Sequence, residues 1–199
     1  MDRPALSPSS VIAEAAAISD ESGFAAVTLT SVARRLGVKT PSLYSHVRDL
    51  AGLHDGITVL ALGELSGLLS EAIAGRSGGP ALRAYAATLR EYALRSPGRW
   101  ESLQRRAGAG AVGSAAARSY VSLTDAVLRG YPLSPVDRVH ATRLIGSTIN
   151  GFLALERIGS FSHREPDPES SWTAAIDALH STLTEWSRAD SSPDDEDPA

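Results

Sequence analysis

Apolar residues recur at intervals of three and four along most of the chain. The longest such stretch covers residues 49–74, and its apolar positions are Leu50, Leu53, Ile57, Leu60, Ala61, Leu65, Leu68 and Ile73. This spacing places side chains on one face of an α-helix, whereas a half-buried strand alternates apolar and polar residues. No stretch of the sequence alternates in that way. The pattern therefore predicts an all-α chain of about nine helices.

Five of the predicted helices share one kind of start. A Ser, Thr or Asp residue followed by Pro occurs at positions 7, 40, 96, 134 and 167. The side-chain oxygen can accept a hydrogen bond from an unpaired backbone N–H, and Pro is tolerated at the first helical position. With the Gly and Pro residues between periodic stretches, these starts predict helices over 8–22, 49–74, 80–95, 97–103, 114–129, 134–159 and 168–188.

Two further short helices, joined by a tight turn, are predicted between residues 28 and 48. In the first, Val32, Ala33 and Leu36 form one apolar face, and we expect Thr30 to cap its start. Gly37 follows where the helix must end with a positive φ angle, which Gly adopts without steric cost. The small side chain of Ala33 allows a second helix to cross close by.

The second short helix is predicted to start at Thr40 and Pro41, with Thr40 as its cap. Leu43 and Val47 would face inward and leave the polar residues outward. A short Gly-containing turn between two helices is the signature of a helix-turn-helix. We therefore predict an N-terminal three-helix domain of this type, with Phe24 in its core.

The charge pattern of this region favours DNA binding. Between Glu21 and Asp49 the sequence has no acidic residue, but it has Arg34, Arg35, Lys39 and Arg48. The second helix would also present the hydrogen-bonding groups of Thr40, Ser42, Tyr44, Ser45 and His46. Cations and hydroxyls without carboxylates are what a phosphate backbone requires. The alternative interpretation is an ordinary helical hairpin with a solvated basic face.

The same residues resemble the DNA-binding domain of the tetracycline-repressor-like (TetR) family. The resemblance runs from Gly23 to Leu53, and its most specific part is Leu-Tyr-Ser-His-Val at residues 43–47. It covers about the first quarter of the chain strongly and the remainder only weakly. One departure is Leu50, because the family usually places a Lys near the start of this helix.

The resemblance implies roles for individual residues. Thr30 and Tyr44 would touch phosphates, and His46 and Arg48 would hold the duplex backbone. The residues that would face base edges are Lys39, Thr40, Ser42 and Ser45. Ser31 is also assigned to the predicted DNA-binding residues.

Composition and charge exclude several other classes of protein. The chain has 199 residues, is 43% hydrophobic and contains no Cys, which excludes disulfides and thiolate metal sites. No signal peptide is evident, and no apolar run approaches the ~18 residues of a membrane span. The net charge is −4, but five acidic residues lie in the last ten positions. We therefore expect a cytoplasmic protein with no membrane partner, no metal and no cofactor.

The last two predicted helices suggest a homodimer. Trp172, Ile176, Leu179, Leu183 and Trp186 are spaced like a coiled-coil seam, and Ile145 and Ile149 lie on the preceding helix. Two such helices from each of two subunits could form a four-helix bundle about a two-fold axis. Alternatively, these faces close the core of a single chain. A dimer would place two recognition helices about 34 Å apart on a palindromic operator.

The central helices suggest a pocket for a small, mainly hydrophobic effector. The large residues expected to line it are Tyr85, Tyr92, Trp100, Leu103, Tyr120, Leu123 and Phe152. Apolar aromatics with a few hydroxyls suit such a ligand, although the same pattern occurs in plain cores. Residues 92–100 and 150–156 loosely resemble effector domains of some TetR-like regulators. Effector binding would shift the 49–74 helix and release the DNA.

The predicted organisation has three parts. Residues 1–48 form the helix-turn-helix DNA-binding domain, 49–188 a helical effector-binding and dimerisation domain, and 189–199 an acidic disordered tail. The predicted function is a ligand-responsive transcriptional regulator, a repressor whose partners are double-stranded DNA and an effector. Alternatives are a helical module whose helix-turn-helix contacts protein, or an enzyme. The enzyme is disfavoured because no catalytic residue pattern is evident.

Overall fold

The computed structural model describes residues 6–186 and confirms the all-α prediction. No strand occurs in this range, and the helices are α1 (Pro8–Ser22), α2 (Leu29–Leu36), α3 (Leu50–Ile73), α4 (Gly78–Arg95), α5 (Pro97–Leu103), α6 (Ala109–Val112), α7 (Ala115–Leu128), α8 (Pro135–Arg157) and α9 (Pro168–Glu185). Two short 3₁₀ segments, Phe24–Ala26 and Thr40–Ser45, flank α2. The predicted acidic tail lies outside the described residues.

Three of the five predicted Ser/Thr/Asp-Pro starts are capped as expected. Ser7 and Ser134 accept the N–H of the residue three positions on at 3.1 Å, and Asp167 does so at 2.7 Å. Ser96 makes no such bond at the start of α5. Asp49 caps α3, because its Oδ1 accepts the N–H of Gly52 at 2.7 Å. Side chains of two types, Ser and Asp, thus each satisfy an unpaired donor at the start of four helices.

A few helix boundaries differ from the predictions. Helix α4 begins at Gly78, two residues before the predicted start at Pro80, which is possible because N–H groups of the first turn have no partner inside the helix. The predicted loop over 107–113 contains the short helix α6. Helix α8 ends at Arg157 and α9 at Glu185, each slightly before its predicted end.

The described chain packs as two compact units. The first contains the described residues up to Leu68 together with Glu91–Val121, and the second contains Leu69–Arg90 together with the described residues from Ser122 onward. Helices α3, α4 and α7 therefore contribute to both units. The predicted functional boundary at residue 48 falls inside the first unit and stays a prediction.

The core of the first unit holds the helix-turn-helix together. Phe24, Ala33, Leu43 and Val47 are buried, as predicted. They pack in one cluster with residues of α1 and the start of α3, namely Val11, Ala15, Ala16, Ile18, Leu53 and Ile57. The first turns of α3 are therefore part of the core that supports the helix-turn-helix.

The core of the second unit includes the contact between α8 and α9. Six residues predicted for the dimer interface are buried within the single chain: Ile145, Ile149, Trp172, Ile176, Leu179 and Leu183. Such side chains have little surface left to bury against a second subunit, so this burial gives their place in a dimer interface no support, and that place stays a prediction. Trp186 is half-buried. The spacing of the seam thus marks a buried face, and α8 of the same chain contacts α9.

Helix α3 is more apolar than predicted for any segment of this chain. Within residues 6–186 it is the one helix that is long and apolar enough to cross a membrane by length and composition alone. Its residues Leu53, Ile57, Ala61, Leu65 and Leu69 are fully buried in the protein. The prediction that no apolar run approaches this length is thus wrong, and packing in the protein core accounts for the apolar face.

Candidate nucleic-acid interface

The first helix of the motif is fixed by a reciprocal cap at Thr28. The Thr28 Oγ1 accepts the N–H of Ser31 at 2.9 Å, and the Ser31 Oγ accepts the N–H of Thr28 at 2.9 Å. The Ser31 Oγ also lies 2.9 Å from the carbonyl of Ala26. The cap is therefore Thr28 and not Thr30, because the helix starts two residues earlier than predicted. Thr30 is left exposed on the first turn.

The turn between the two helices follows the prediction. Gly37 has φ 65° and ψ 35°, the left-handed conformation expected at a helix end. The N–H of Val38 then bonds the carbonyl of Ala33 at 2.9 Å. These bonds satisfy the last carbonyls of α2 and reverse the chain direction over very few residues.

The second helix of the motif is shorter and tighter than predicted. It is a 3₁₀ helix, in which Ser42 N–H bonds the Lys39 carbonyl at 2.9 Å and His46 N–H bonds the Leu43 carbonyl at 2.8 Å. Lys39, and not Thr40, occupies the cap position, and no side chain caps this segment. A segment of six residues with Pro41 near its start has too few residues to favour α-helical bonds over the tighter pattern.

The predicted DNA-binding residues lie mostly on the outside of this motif. We call the exposed ones the recognition surface: Thr30, Lys39, Ser42, Tyr44, Ser45 and Arg48. Ser31, Thr40 and His46 are half-buried. Tyr44 is 57% exposed, although Leu43 beside it is fully buried. One buried anchor thus positions a set of polar side chains that face outward.

The basic residues near this surface differ in their partners. Arg35 bonds Glu14 at 2.8 Å and Glu21 at 2.7 Å, both on α1, and these bonds hold the pKa of Glu21 below its ordinary value. Arg34 and Lys39 have no salt bridge among residues 6–186. Arg35 therefore has acidic neighbours in the folded chain, although residues 22–48 contain no acidic residue.

Arg48 is the most exposed of the paired arginines. Its Nε lies 2.9 Å from Asp49 Oδ2, and its side chain is 84% exposed. Hydrogen bonds from the Gly52 N–H and from Arg48 hold the pKa of Asp49 below its usual range. Because exposed pairs of this kind contribute little to stability, Arg48 can exchange Asp49 for another anion at small cost.

A half-buried ionic cluster that was not predicted from the sequence joins α1 to α5. We call it the α1–α5 joint and define it as Asp20, Glu64, Tyr92, Gly98 and Arg99. The Asp20 carboxylate accepts the N–H groups of Gly98 at 3.0 Å and Arg99 at 2.9 Å, and Arg99 Nε donates to it at 2.8 Å. The joint therefore caps α5 with a side chain from α1.

The other end of Arg99 reaches α3. Its Nη1 donates to Glu64 at 2.7 Å, and the Tyr92 hydroxyl donates to Glu64 Oε2 at 2.7 Å. Burial, followed by the hydrogen bond to Glu64, raises the pKa of Tyr92 well above its ordinary value. No local sequence pattern points to this cluster, because its members lie on four different helices.

The residues predicted to line an effector pocket are buried or half-buried. Tyr85, Tyr92 and Trp100 are buried. Leu103, Tyr120, Leu123 and Phe152 are half-buried. The Tyr85 hydroxyl lies 2.9 Å from Thr124 Oγ1, so the hydroxyls of both buried tyrosines already have partners in the chain. The lining of an effector pocket by these residues stays a prediction.

The sequence has relatives among helix-turn-helix regulators. It is 31% identical over 168 residues to the uncharacterized HTH-type transcriptional regulator Rv0681 of Mycobacterium tuberculosis. The matched region covers 83% of this chain and 77% of that protein. The family profile described as "Tetracyclin repressor-like, C-terminal domain" matches residues 82–179. The chain belongs to the TetR family of transcriptional regulators. This membership confirms the resemblance seen at residues 23–53 and extends it into the second half of the chain.

Solved TetR-family structures share the fold. Mycobacterium smegmatis BioQ superposes with a TM-score of 0.70 at 21% identity, covering 90% of this chain and 98% of that one. The Streptomyces coelicolor TetR family protein ActR, solved in complex with (S)-DNPA, gives a TM-score of 0.69 at 15% identity, covering 92% and 98%. At these identities the likeness concerns the fold. The exposed motif described above is the DNA-binding helix-turn-helix of a TetR-family regulator.

Proposed function

We propose that this TetR-family regulator is a repressor that binds a palindromic operator as a homodimer and is released by a small, mainly hydrophobic effector. The observation that carries the DNA-binding part is the recognition surface. Its hydroxyls and cations face outward from a 3₁₀ segment whose Leu43 is fully buried in the core. A segment that is anchored in the core and exposes polar side chains of several lengths suits contacts with both phosphates and base edges.

Individual residues are proposed for two kinds of contact. Thr30, Tyr44, His46 and Arg48 would hold phosphates and set the position of the domain on the duplex. Lys39, Thr40, Ser42 and Ser45 would reach base edges in the major groove. Ser31 has the least support, because its Oγ already takes part in the cap at Thr28 and lies 2.9 Å from the Ala26 carbonyl.

The proposed dimer would use surfaces of α8 and α9 other than the buried seam. Val136, Val139 and Leu155 of α8 are exposed apolar side chains. A Cβ built at Gly151 would meet nothing within 4 Å, so a second subunit could approach closely there. We expect a dimer in sedimentation experiments. Gly151→Trp should produce a folded monomer, and a variant that remains dimeric would contradict this surface.

The effector part of the proposal rests on family membership and on the aromatic residues of the central helices. Two structural neighbours were solved with small molecules: ActR with (S)-DNPA, and TetR-Q116A from Acinetobacter baumannii with minocycline. By analogy, the seven residues predicted from the sequence would line the pocket in this chain. An effector confirmed by calorimetry should weaken operator binding roughly 5- to 150-fold, and unchanged affinity at saturation would contradict the mechanism.

Selection of bound duplexes from a random library tests the DNA-binding proposal directly. The wild-type chain should enrich a palindrome whose half-sites are about one helical turn apart. Lys39→Ala should relax the preference at one position in each half-site, since a good base contact provides about 1–3 kcal/mol of discrimination.

Arg164→Ala provides the matched control for this selection, because Arg164 is an exposed cation in the loop before α9. It should leave the consensus unchanged. If the wild-type chain enriches no sequence and ignores duplexes at low salt, the helix-turn-helix acts on another partner and the proposal fails.

A further inference from the structure

A cavity of about 420 Å³ opens beside the DNA-binding domain, at the start of α3 and next to the loop between α5 and α6. Its volume lies in the range typical of small-molecule sites. The polar residues that line it include Arg48, His54, Asp55, Thr58, Arg105 and Arg106. The seven residues predicted for the hydrophobic effector are not part of its lining, so this cavity is a different place in the fold.

Cations dominate the lining. Three arginines, Arg48, Arg105 and Arg106, line the cavity together with a single acidic residue, Asp55. Arg105 and Arg106 make no salt bridge within residues 6–186. The Arg48 Nε is paired with Asp49, outside the cavity lining, in a contact that is mostly exposed. The lining residues alone thus carry an excess of two positive charges, and one of these remains when the pairing of Arg48 with Asp49 is counted.

One of these cations lies over an aromatic ring. The Arg105 guanidinium carbon is 5.0 Å from the ring centroid of Phe24, and the ring of His54, a residue of α3, lies 4.6 Å from the Phe24 ring. A guanidinium that contacts an aromatic ring through its face keeps the N–H groups at its edge available for other partners. The Phe24 ring thus supports Arg105 beside the cavity without occupying those donors.

The single carboxylate of the lining has a structural role. Asp55 Oδ1 accepts the N–H of Gly108 at 3.0 Å, which ties the α5–α6 loop to α3. A Cβ at Gly108 would lie 2.2 Å from Asp55 Oδ2, so this close approach requires Gly. The loop that carries Arg105 and Arg106 is therefore anchored at a defined distance from α3.

We propose that this cavity binds a small organic anion with phosphate or carboxylate groups, held by Arg105 and Arg106 with Arg48 at its edge. Arginine forks match the oxygen geometry of both groups and bind them bidentately. Resting on the proposed function, occupancy has a consequence for DNA. Arg48 is proposed to hold the duplex backbone, so an anion in the cavity competes with the duplex for the same guanidinium.

Calorimetric titration of the full chain with inorganic pyrophosphate at 150 mM KCl tests the site without DNA. The wild-type chain should bind one pyrophosphate per chain. Arg106→Gln should weaken this binding by about tenfold or more, since a hydrogen bond to a charged group is typically worth at least that factor. Arg164→Gln removes an exposed cation elsewhere and should leave the affinity unchanged.

A second variant distinguishes binding in a shaped cavity from nonspecific electrostatic attraction. Ala109→Trp fills the cavity from the exposed helix α6 and keeps every charged residue. It should abolish pyrophosphate binding while its thermal unfolding matches that of the wild type. Equal binding by Ala109→Trp and the wild type, or binding that disappears at 150 mM KCl, would mean an adventitious ion only and would overturn the proposal.

DNA titrations distinguish a free anion from a phosphate of the duplex. At matched ionic strength, pyrophosphate should weaken duplex binding by the wild type and not by Ala109→Trp. Arg106→Gln alone should leave the salt dependence of duplex binding unchanged. A slope shallower by about one unit would assign the cavity to a duplex phosphate and overturn the free-ligand proposal. The calorimetric result stands even if the chain binds no DNA.

Discussion

Arg48 of the recognition surface and Arg99 of the α1–α5 joint carry the same guanidinium group in opposite environments. The Arg48 side chain is 84% exposed and has one carboxylate partner, the adjacent Asp49. The Arg99 side chain is 26% exposed and bonds both Asp20 and Glu64. The first can change partners at small cost, whereas the second would leave two carboxylates without a counter-charge. The surroundings therefore decide which arginine is available for a ligand and which maintains the fold.

The comparison extends to how each arginine is positioned. Arg48 follows the short 3₁₀ segment, and its side chain is mostly exposed to solvent. Arg99 lies in the first turn of α5, whose N-terminal N–H groups are capped by Asp20. A substitution in the joint should thus change stability, and a substitution on the recognition surface should change binding.

The largest effect is expected at Gly98, where α5 meets the backbone of α1. A Cβ at Gly98 would lie 2.0 Å from the Ser19 carbonyl oxygen, so Gly98→Ala must push the two helices apart. We expect urea unfolding to show a loss of about 3 kcal/mol or more in the free energy of unfolding.

Gly63→Ala in α3 is the matched control, because nothing lies within 4 Å of a Cβ there. It should raise the free energy of unfolding by up to ~1 kcal/mol through helix propensity. Equal effects of the two Gly→Ala substitutions would mean that α5 does not pack tightly against α1.

Removing the central carboxylate of the joint should have the next largest effect. Asp20→Ala leaves Arg99 with one partner and uncaps α5, so we expect a loss of about 2–3 kcal/mol in urea unfolding. Glu21→Ala also removes an arginine partner, but the loss of this exposed pair with Arg35 should lower the free energy of unfolding much less than Asp20→Ala does. If Asp20→Ala lowers the free energy of unfolding no more than Glu21→Ala does, the joint does not stabilise the fold more than an exposed ion pair.

On the recognition surface, Arg48→Ala should weaken binding to every duplex sequence and leave stability unchanged. The salt dependence of binding should become shallower by about one unit, because one phosphate contact is lost. Fluorescence anisotropy at several salt concentrations measures both quantities, with Arg164→Ala as the control. If the slope stays constant while affinity falls at one sequence only, Arg48 reads bases and does not hold the backbone.

The smallest effect is expected for Tyr92→Phe, which removes the hydrogen bond to Glu64 and should cost about 1 kcal/mol near neutral pH. Since the pKa of Tyr92 is raised in the folded chain, its contribution is fully present below about pH 10, the ordinary tyrosine pKa. That contribution is lost as the pH rises further through the folded-state pKa. The stability difference between wild type and variant should therefore shrink above pH 10, and a constant difference would contradict the burial of this hydroxyl.

Much of the fold followed from local rules that the sequence displays. The spacing of apolar residues predicted the helices. Ser7, Ser134 and Asp167 cap their helices because an N-cap bond joins residues only three positions apart. Gly37 could be identified for a similar reason, since the left-handed conformation at a helix end depends on one residue. The DNA-binding motif was recognisable because Leu43 and the polar residues around it lie within one short stretch.

The errors arose where residues distant in sequence decide the outcome. Arg35 was counted with the basic residues of the motif, but Glu14 and Glu21 of another helix neutralise it. The apolar face of α9 was predicted to meet a second subunit, and its residues are buried within the single chain. Periodicity shows that a face is buried and cannot show which surface buries it.

The sequence by itself determined the helical class, most of the caps and the exposed polar motif, because these depend on interactions over three or four residues. Only the tertiary structure decided which arginines are paired, which apolar faces remain open, and that Asp20, Glu64, Tyr92 and Arg99 meet. Those outcomes depend on how the chain brings distant helices together, and a one-dimensional pattern does not contain that information.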